Sequence, residues 1–189
     1  LKYDMPVGPW NGFAIVPTHF DNYEDNDFRK EAYNIYGQQY DSGGNEINDG
    51  TTNQPLDISP YLPALSMSEA THTAAEIRTT GARIGKYEIA MGAKENLSND
   101  LPLFRITDFY LMKAEAMIRQ GGNGDEYVNP IRERANVDTW GGVTLDQLLE
   151  ERGRELYCEG HRRQDLIRFG KYGIAWWEKG ASGPDREIF

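Results

Sequence analysis

The sequence holds one cysteine, Cys158, and three histidines, His19, His72 and His161, among 189 residues. A single cysteine forms no intrachain disulfide, and its place in an apolar stripe beside Leu156 predicts a small buried hydrophobe. The histidines stand far apart, without the paired spacing of a zinc helix or a His/Cys cluster, so no metal site of that kind is expected. No apolar run approaches the roughly 20 residues that a membrane-spanning helix needs. There is no block of Lys and Arg either. With 20 basic and 30 acidic residues the formal net charge is −10, the wrong sign for a phosphate backbone, which excludes nucleic acid as a partner. A Gly-rich phosphate loop, a Gly-x-Ser-x-Gly elbow and a His-Glu-x-x-His helix are all missing. Neither a cofactor nor catalysis is therefore expected.

What the chain does have is apolar content, 39%, sufficient for a core, and many aromatics, 12%, with 11 Tyr and 4 Trp. Several aromatics sit among Gly, Asn and Asp instead of in apolar stripes, which is how a binding surface is built. Residues 1 to about 100 read as irregular and strand-rich, punctuated by Pro6, Pro9, Pro17, Pro55, Pro60 and Pro63. One short helix is predicted over residues 28–36. Extended segments are predicted at 35–40 and 46–48 around a Gly43-Gly44 turn, a strand at 81–89, and a polar loop at 93–100. The oxygen-rich run 41–50 fails the calcium-loop template, with Gly43 and Glu46 at the wrong positions, and reads as a polar turn.

From Thr107 the period becomes 3.6, with Phe109, Met112, Ala116 and Met117 on one face and Gly121-Gly122 ending the helix. A second helix over 125–135 gathers Val128, Ile131 and Ala135, with Pro130 either confined to its first turns or bending it. Thr144 and Gln147 form a capping-box pattern for a third, which Gly160 ends, and a short helix over 162–169 follows. In the third, Leu145, Leu148, Leu149, Arg152 and Leu156 share a face, so packing it buries at least the stem of Arg152. A buried guanidinium needs carboxylates. Glu151 and Glu155 are near, and Glu159, Arg162, Arg163, Asp165 and Arg168 continue the alternation of sign, which predicts an ion-pair network between helices. Two acids flanking one bond would instead suit glycoside hydrolysis, but acids at helical spacing beside arginines are normally structural.

These segments, in this order, resemble the SusD/RagB family of outer-membrane nutrient-binding lipoproteins. Arg105 and Asp108 precede a Leu-Met-x-Ala-Glu-Ala helix at Leu111, Met112, Ala114, Glu115 and Ala116; Ile131, Arg132, Arg134 and Ala135 follow. Then come Glu151, Arg152, Glu155, Leu156, Glu159, Gly160, Arg162, Asp165, Leu166, Ile167 and Arg168. Upstream blocks at Pro9-Trp10-Asn11-Gly12 and at residues 81–87 extend the likeness over most of the chain.

The resemblance implies a mostly α fold of tetratricopeptide-like helical pairs with irregular, β-rich insertions. Residues 1–103 would form a ligand-facing region and 104–189 a helical scaffold, both parts of one domain. It implies non-catalytic capture of a glycan or related nutrient at the bacterial surface and delivery to a TonB-dependent, SusC-like transporter. The family carries a secretion signal, a lipidated N-terminal Cys and an N-terminal helical half, none of which lies in this chain, so a fragment is expected. A helical-repeat adaptor for other proteins, or less readily a glycosidase, would be the alternatives. Arg105, Asp108, Glu115, Glu151, Arg152, Glu155, Arg162, Asp165 and Arg168 are assigned to the structural ion network. For ligand contact Trp10 and Asn11 stand out, because an exposed indole stacks on a sugar face while an amide bonds its hydroxyls. Packing of Trp10 on the core is the equal alternative. Tyr36 and Tyr40, then Tyr3 and Tyr61, are further candidates for the same surface, whereas Trp176 and Trp177 read as packing residues.

Overall fold

The computed structural model describes residues 3–6 and 12–183. Its elements are helices α1 (Pro17–Phe20), α2 (Phe28–Ala32), α3 (Ala74–Thr79), α4 (Ile106–Arg119), α5 (Asp125–Arg134), α6 (Leu145–Glu155) and α7 (Arg162–Arg168), with two-residue strands β1 (Asn34–Ile35), β2 (Gly37–Gln38), β3 (Asp57–Ile58) and β4 (Arg83–Ile84). Two compact units emerge. One comprises Leu1–Asp21 with Glu31–Asp100, the other Asn22–Lys30 with Leu101–Phe189. Residues 22–30, irregular in sequence, thus belong with the helices.

In the helical unit α4 packs on α5 and on α6, and α6 on α7. Leu111, Ala114, Val128, Ile131, Val143, Leu148 and Leu156 fill the space between them. The stripe on α6 behaves as its spacing requires: Leu148, Leu149, Arg152 and Leu156 are all buried, and Leu145 packs at the margin. Its first turn is closed by Thr144, whose hydroxyl accepts from Gln147 N–H while the Gln147 side chain accepts from Thr144 N–H. Thr144→Ala is expected to lower stability by about 1 kcal/mol, read as a shift in the urea midpoint at unchanged slope. Gly160, at φ 81°, ends the turn after α6.

On α4 the packing face differs from expectation. Leu111 and Ala114 go inward with Asp108 and Glu115, while Phe109, Met112 and Ala116 are exposed. Arginines of α6 and α7 draw the two carboxylates in, and that rotation turns the bulkier apolar side chains out. Cys158 is likewise exposed instead of buried, since helix α6 has ended before it and its φ is 60°.

In the other unit β1 pairs antiparallel with β4, and β2 with β3. Helix α2 stops at Ala32, short of Tyr36, because Asn34 and Ile35 are taken by β4. Of the strand expected at 81–89 only Arg83–Ile84 is regular strand, and Tyr87, at φ 71°, turns the chain away soon after. Tyr40 and Glu46 bridge across the turn, where Asp41 N–H donates to Asn45 O. Two short helices, α1 and α3, form where no periodicity announced them. Pro17 occupies the first turn of α1, and Thr73 with Glu76 forms a capping box on α3.

Candidate functional site

Arginine and carboxylate alternate through the centre of the helical unit. Glu151, fully buried, accepts from Arg29 Nη1 at 2.7 Å on one oxygen and from Arg132 Nη1 at 3.0 Å and Arg154 Nη2 at 2.7 Å on the other. One turn later Glu155, also fully buried, takes Arg29 at 3.0 Å, Arg105 at 3.0 Å and Arg134. Asp27 receives Arg29 at 2.8 Å, and Arg105 clasps both oxygens of Glu159 at 2.7 and 2.8 Å. Arg152 bridges helices instead of pairing along its own: it meets Asp108 of α4 at 2.9 Å and Asp165 of α7 at 2.8 Å. Arg168 then joins Asp165 to Glu115. Arg162 donates to Leu149 O at 2.8 Å and lies over Gly153, where a β-carbon would come within 2.7 Å of it.

The chemistry of this array is structural. Burial alone would raise the Glu151 carboxyl, but the charges of Arg29 and Arg154 outweigh it and hold the group below the usual carboxylate range. A glycosidase general acid needs the opposite, a carboxyl held protonated.

The aromatic surface lies in the other unit and is assembled on the segment 81–85. Ile15 N–H donates to Ala82 O at 3.0 Å, which anchors the chain leading to Phe20. Gly81 N–H reaches Tyr61 O and Ala82 N–H reaches Pro60 O, both at 3.3 Å, anchoring Tyr61. The β1–β4 pairing and the Gly85 N–H bond to Tyr33 O, 2.8 Å, place Tyr36. Three segments distant in sequence thus bring their rings together. Phe20, buried, meets Tyr36 edge-on at 4.9 Å and Tyr61 edge-on at 6.1 Å. Tyr36 is half-buried and Tyr61 is 51% exposed. Asp21, just past Phe20, is exposed; its charge and a hydrogen bond from the Tyr61 hydroxyl raise that phenol above its usual pKa. Burial, then the charge of Glu31, does the same for Tyr36.

Of the other candidates, Tyr40 is 45% exposed on its hairpin and Tyr3 half-buried. Trp10 and Asn11 lie outside the described residues. Phe13, 87% exposed, and the acid Asp21 were not singled out in the sequence; Phe13 follows the Trp10 block, which was the available signal. A separate cleft of about 400 Å³ in the helical unit runs between Leu101–Leu103 and the turn from Cys158 to Gln164. Among the described residues no Phe, Tyr or Trp lines it; His161 is its one aromatic ring, and its one acid, Glu159, is held by Arg105.

Residues 12–186 match the SusD family model. The chain belongs to the SusD family. It is 46% identical over 90 residues to the starch-binding protein SusD of Bacteroides thetaiotaomicron, a stretch that is 43% of this chain and 16% of that protein. To a SusD-like protein of Formosa agariphila it is 37% identical over 99 residues, 47% of this chain and 19% of the relative. The matched stretches thus span less than a fifth of either relative. Among solved structures, surface glycan-binding protein A from B. thetaiotaomicron superposes with a TM-score of 0.60 at 24% identity, over 96% of this chain and 39% of that one. NanU of B. fragilis gives 0.51 at 21%, over 89% and 33%. Both share the helix-rich fold of this chain.

Proposed function

We propose that this protein captures a glycan at the surface of the bacterial outer membrane, to which a lipidated cysteine outside this chain tethers it, and passes the glycan uncut to a TonB-dependent transporter. The observation that carries the reading is the 46% identity to a protein named for starch binding. The exposed ring of Tyr61, supported edge-on by Phe20, agrees with it, because an aromatic face offers a sugar apolar contact without a deep pocket. Shallow contact of that kind releases readily, as handing on to a channel requires.

Affinity electrophoresis of the full-length protein through gels containing soluble starch checks this. Retardation relative to a starch-free gel is expected, and unchanged mobility with starch and with other polysaccharides would contradict it. A second reading, a helical-repeat adaptor, draws on the exposed face of α4, where Ile106, Phe109 and Met112 form an apolar stripe. An adaptor would bring down a protein partner and ignore glycans.

A further inference from the structure

Helix α4 is apolar on two opposite faces. Its inner face gives only Leu111 and Ala114 to the core, beside Asp108 and Glu115, whereas Ile106, Phe109, Met112 and Ala116 follow the helical period along the outside. More apolar bulk thus points out than in. Ile106 is 72% and Phe109 51% exposed, and the ring of Phe104, 76% exposed in the segment leading into the helix, lies 6.3 Å from that of Phe109. Helices α5, α6 and α7 are built the other way. Among the described residues none of their large apolar side chains is exposed, and their outward positions are held by residues such as Glu126, Glu133, Asp146 and Arg163.

The stripe's chemistry specifies what covers it. It carries no charge, so a charged group laid on it would be buried without a counter-ion, and it runs about three turns, the footprint of another helix. Surfaces that bind and release a partner are about as polar as the rest of the exterior, whereas permanently covered ones are more apolar. A protein of this fold has the length to supply that cover: in the superposed glycan-binding structure more than half of the chain lies outside the part that this chain covers. We infer that a helix from the part of the full-length polypeptide outside residues 1–189 packs its apolar face along Ile106, Phe109 and Met112. Helix α4 is then an internal helix of the native protein, not a docking face for another one. Glycan capture stands apart from this inference, which removes the exposed stripe on which the adaptor reading draws.

Hydroxyl-radical footprinting of the full-length protein tests it, each side chain's oxidation rate being taken relative to the same residue in the urea-unfolded protein. In dilute protein with no partner added, Phe109 and Met112 should be protected to the degree of Leu111 and Leu148, which are fully buried. Phe109→Ala in the full-length protein should lower the melting temperature by about 5 °C or more, the loss of a buried ring, whereas Glu133→Ala should change it by less than about 1 °C. Protection lost on dilution would assign the face to a second copy, and protection that requires an added transporter would assign it to that partner. Oxidation as fast as in the unfolded chain, or an unchanged melting temperature in Phe109→Ala, would leave the face open. Each of these results overturns the inference, and none of them bears on glycan binding, which the starch gel reads separately.

Discussion

Glu151→Ala is expected to destabilise the helical unit by about 3–5 kcal/mol, the scale for removing one partner from a buried ion network. Arg29, Arg132 and Arg154 all converge on this carboxylate, and Arg29 and Arg132 are themselves fully buried, so the truncation leaves cationic donors facing a cavity without water to replace their partner. Thermal melting reads the effect against Glu133→Ala, an exposed acid on α5, which should change stability by no more than about 0.5 kcal/mol. Equal melting of the two variants would show that the network contributes nothing.

The same network sets an acid limit. The Glu151 and Glu115 carboxyls are both held below their usual value, burial opposing and arginines prevailing: Arg29 and Arg154 for Glu151, Arg168 and Arg119 for Glu115. A group whose pKa is lower folded than unfolded stabilises fully above the unfolded value, 4.5 for Glu, and the contribution is lost as pH falls through the folded value. Stability should therefore decline below about pH 4.5, and less steeply in Glu151→Ala.

Gly81→Ala is expected to have the largest effect in the other unit. At φ 78° an L side chain adds strain of about 1–2 kcal/mol. The new β-carbon would also lie 2.6 Å from Leu62 Cδ2 and 2.7 Å from Ala14 Cβ, an overpacking that costs about 1–3 kcal/mol more. Leu62 has rotamers to retreat into, but the Ala14 β-carbon moves only with its backbone, so the segments bearing Phe20 and Tyr61 should be pushed from their shared anchor. A lower unfolding midpoint, with faster proteolytic cleavage near residues 60–62, is the expected outcome, and wild-type resistance would contradict it.

Helix α6 was legible from its sequence because three local signals agree there: the Thr144/Gln147 box, the leucine spacing and the Gly160 stop. Helix α4 was legible as an element but not in its orientation, since apolarity alone puts Phe109 and Met112 inside, and only distant Arg152 and Arg168 explain why Asp108 and Glu115 take that place. The same distance hid Arg29. It pairs with Glu151 across 122 positions, and no local period marks a single arginine in a short helix as the centre of a network. Helix α3 was not anticipated, because a six-residue helix with no buried residue leaves no apolar stripe to mark it. The aromatic surface lies at the limit of such reading: its rings are conspicuous one by one, whereas their meeting depends on two-residue pairings and single hydrogen bonds to segment 81–85 that leave no alternation in the sequence.

Non-destructive glycan capture is tested most directly by titrating the full-length protein with maltoheptaose in a calorimeter and chromatographing the sugar recovered afterwards. The account predicts saturable binding with every oligosaccharide returned at its original length. Shortened chains would make the protein a hydrolase, and the absence of binding to this and other surface-available glycans would contradict the account.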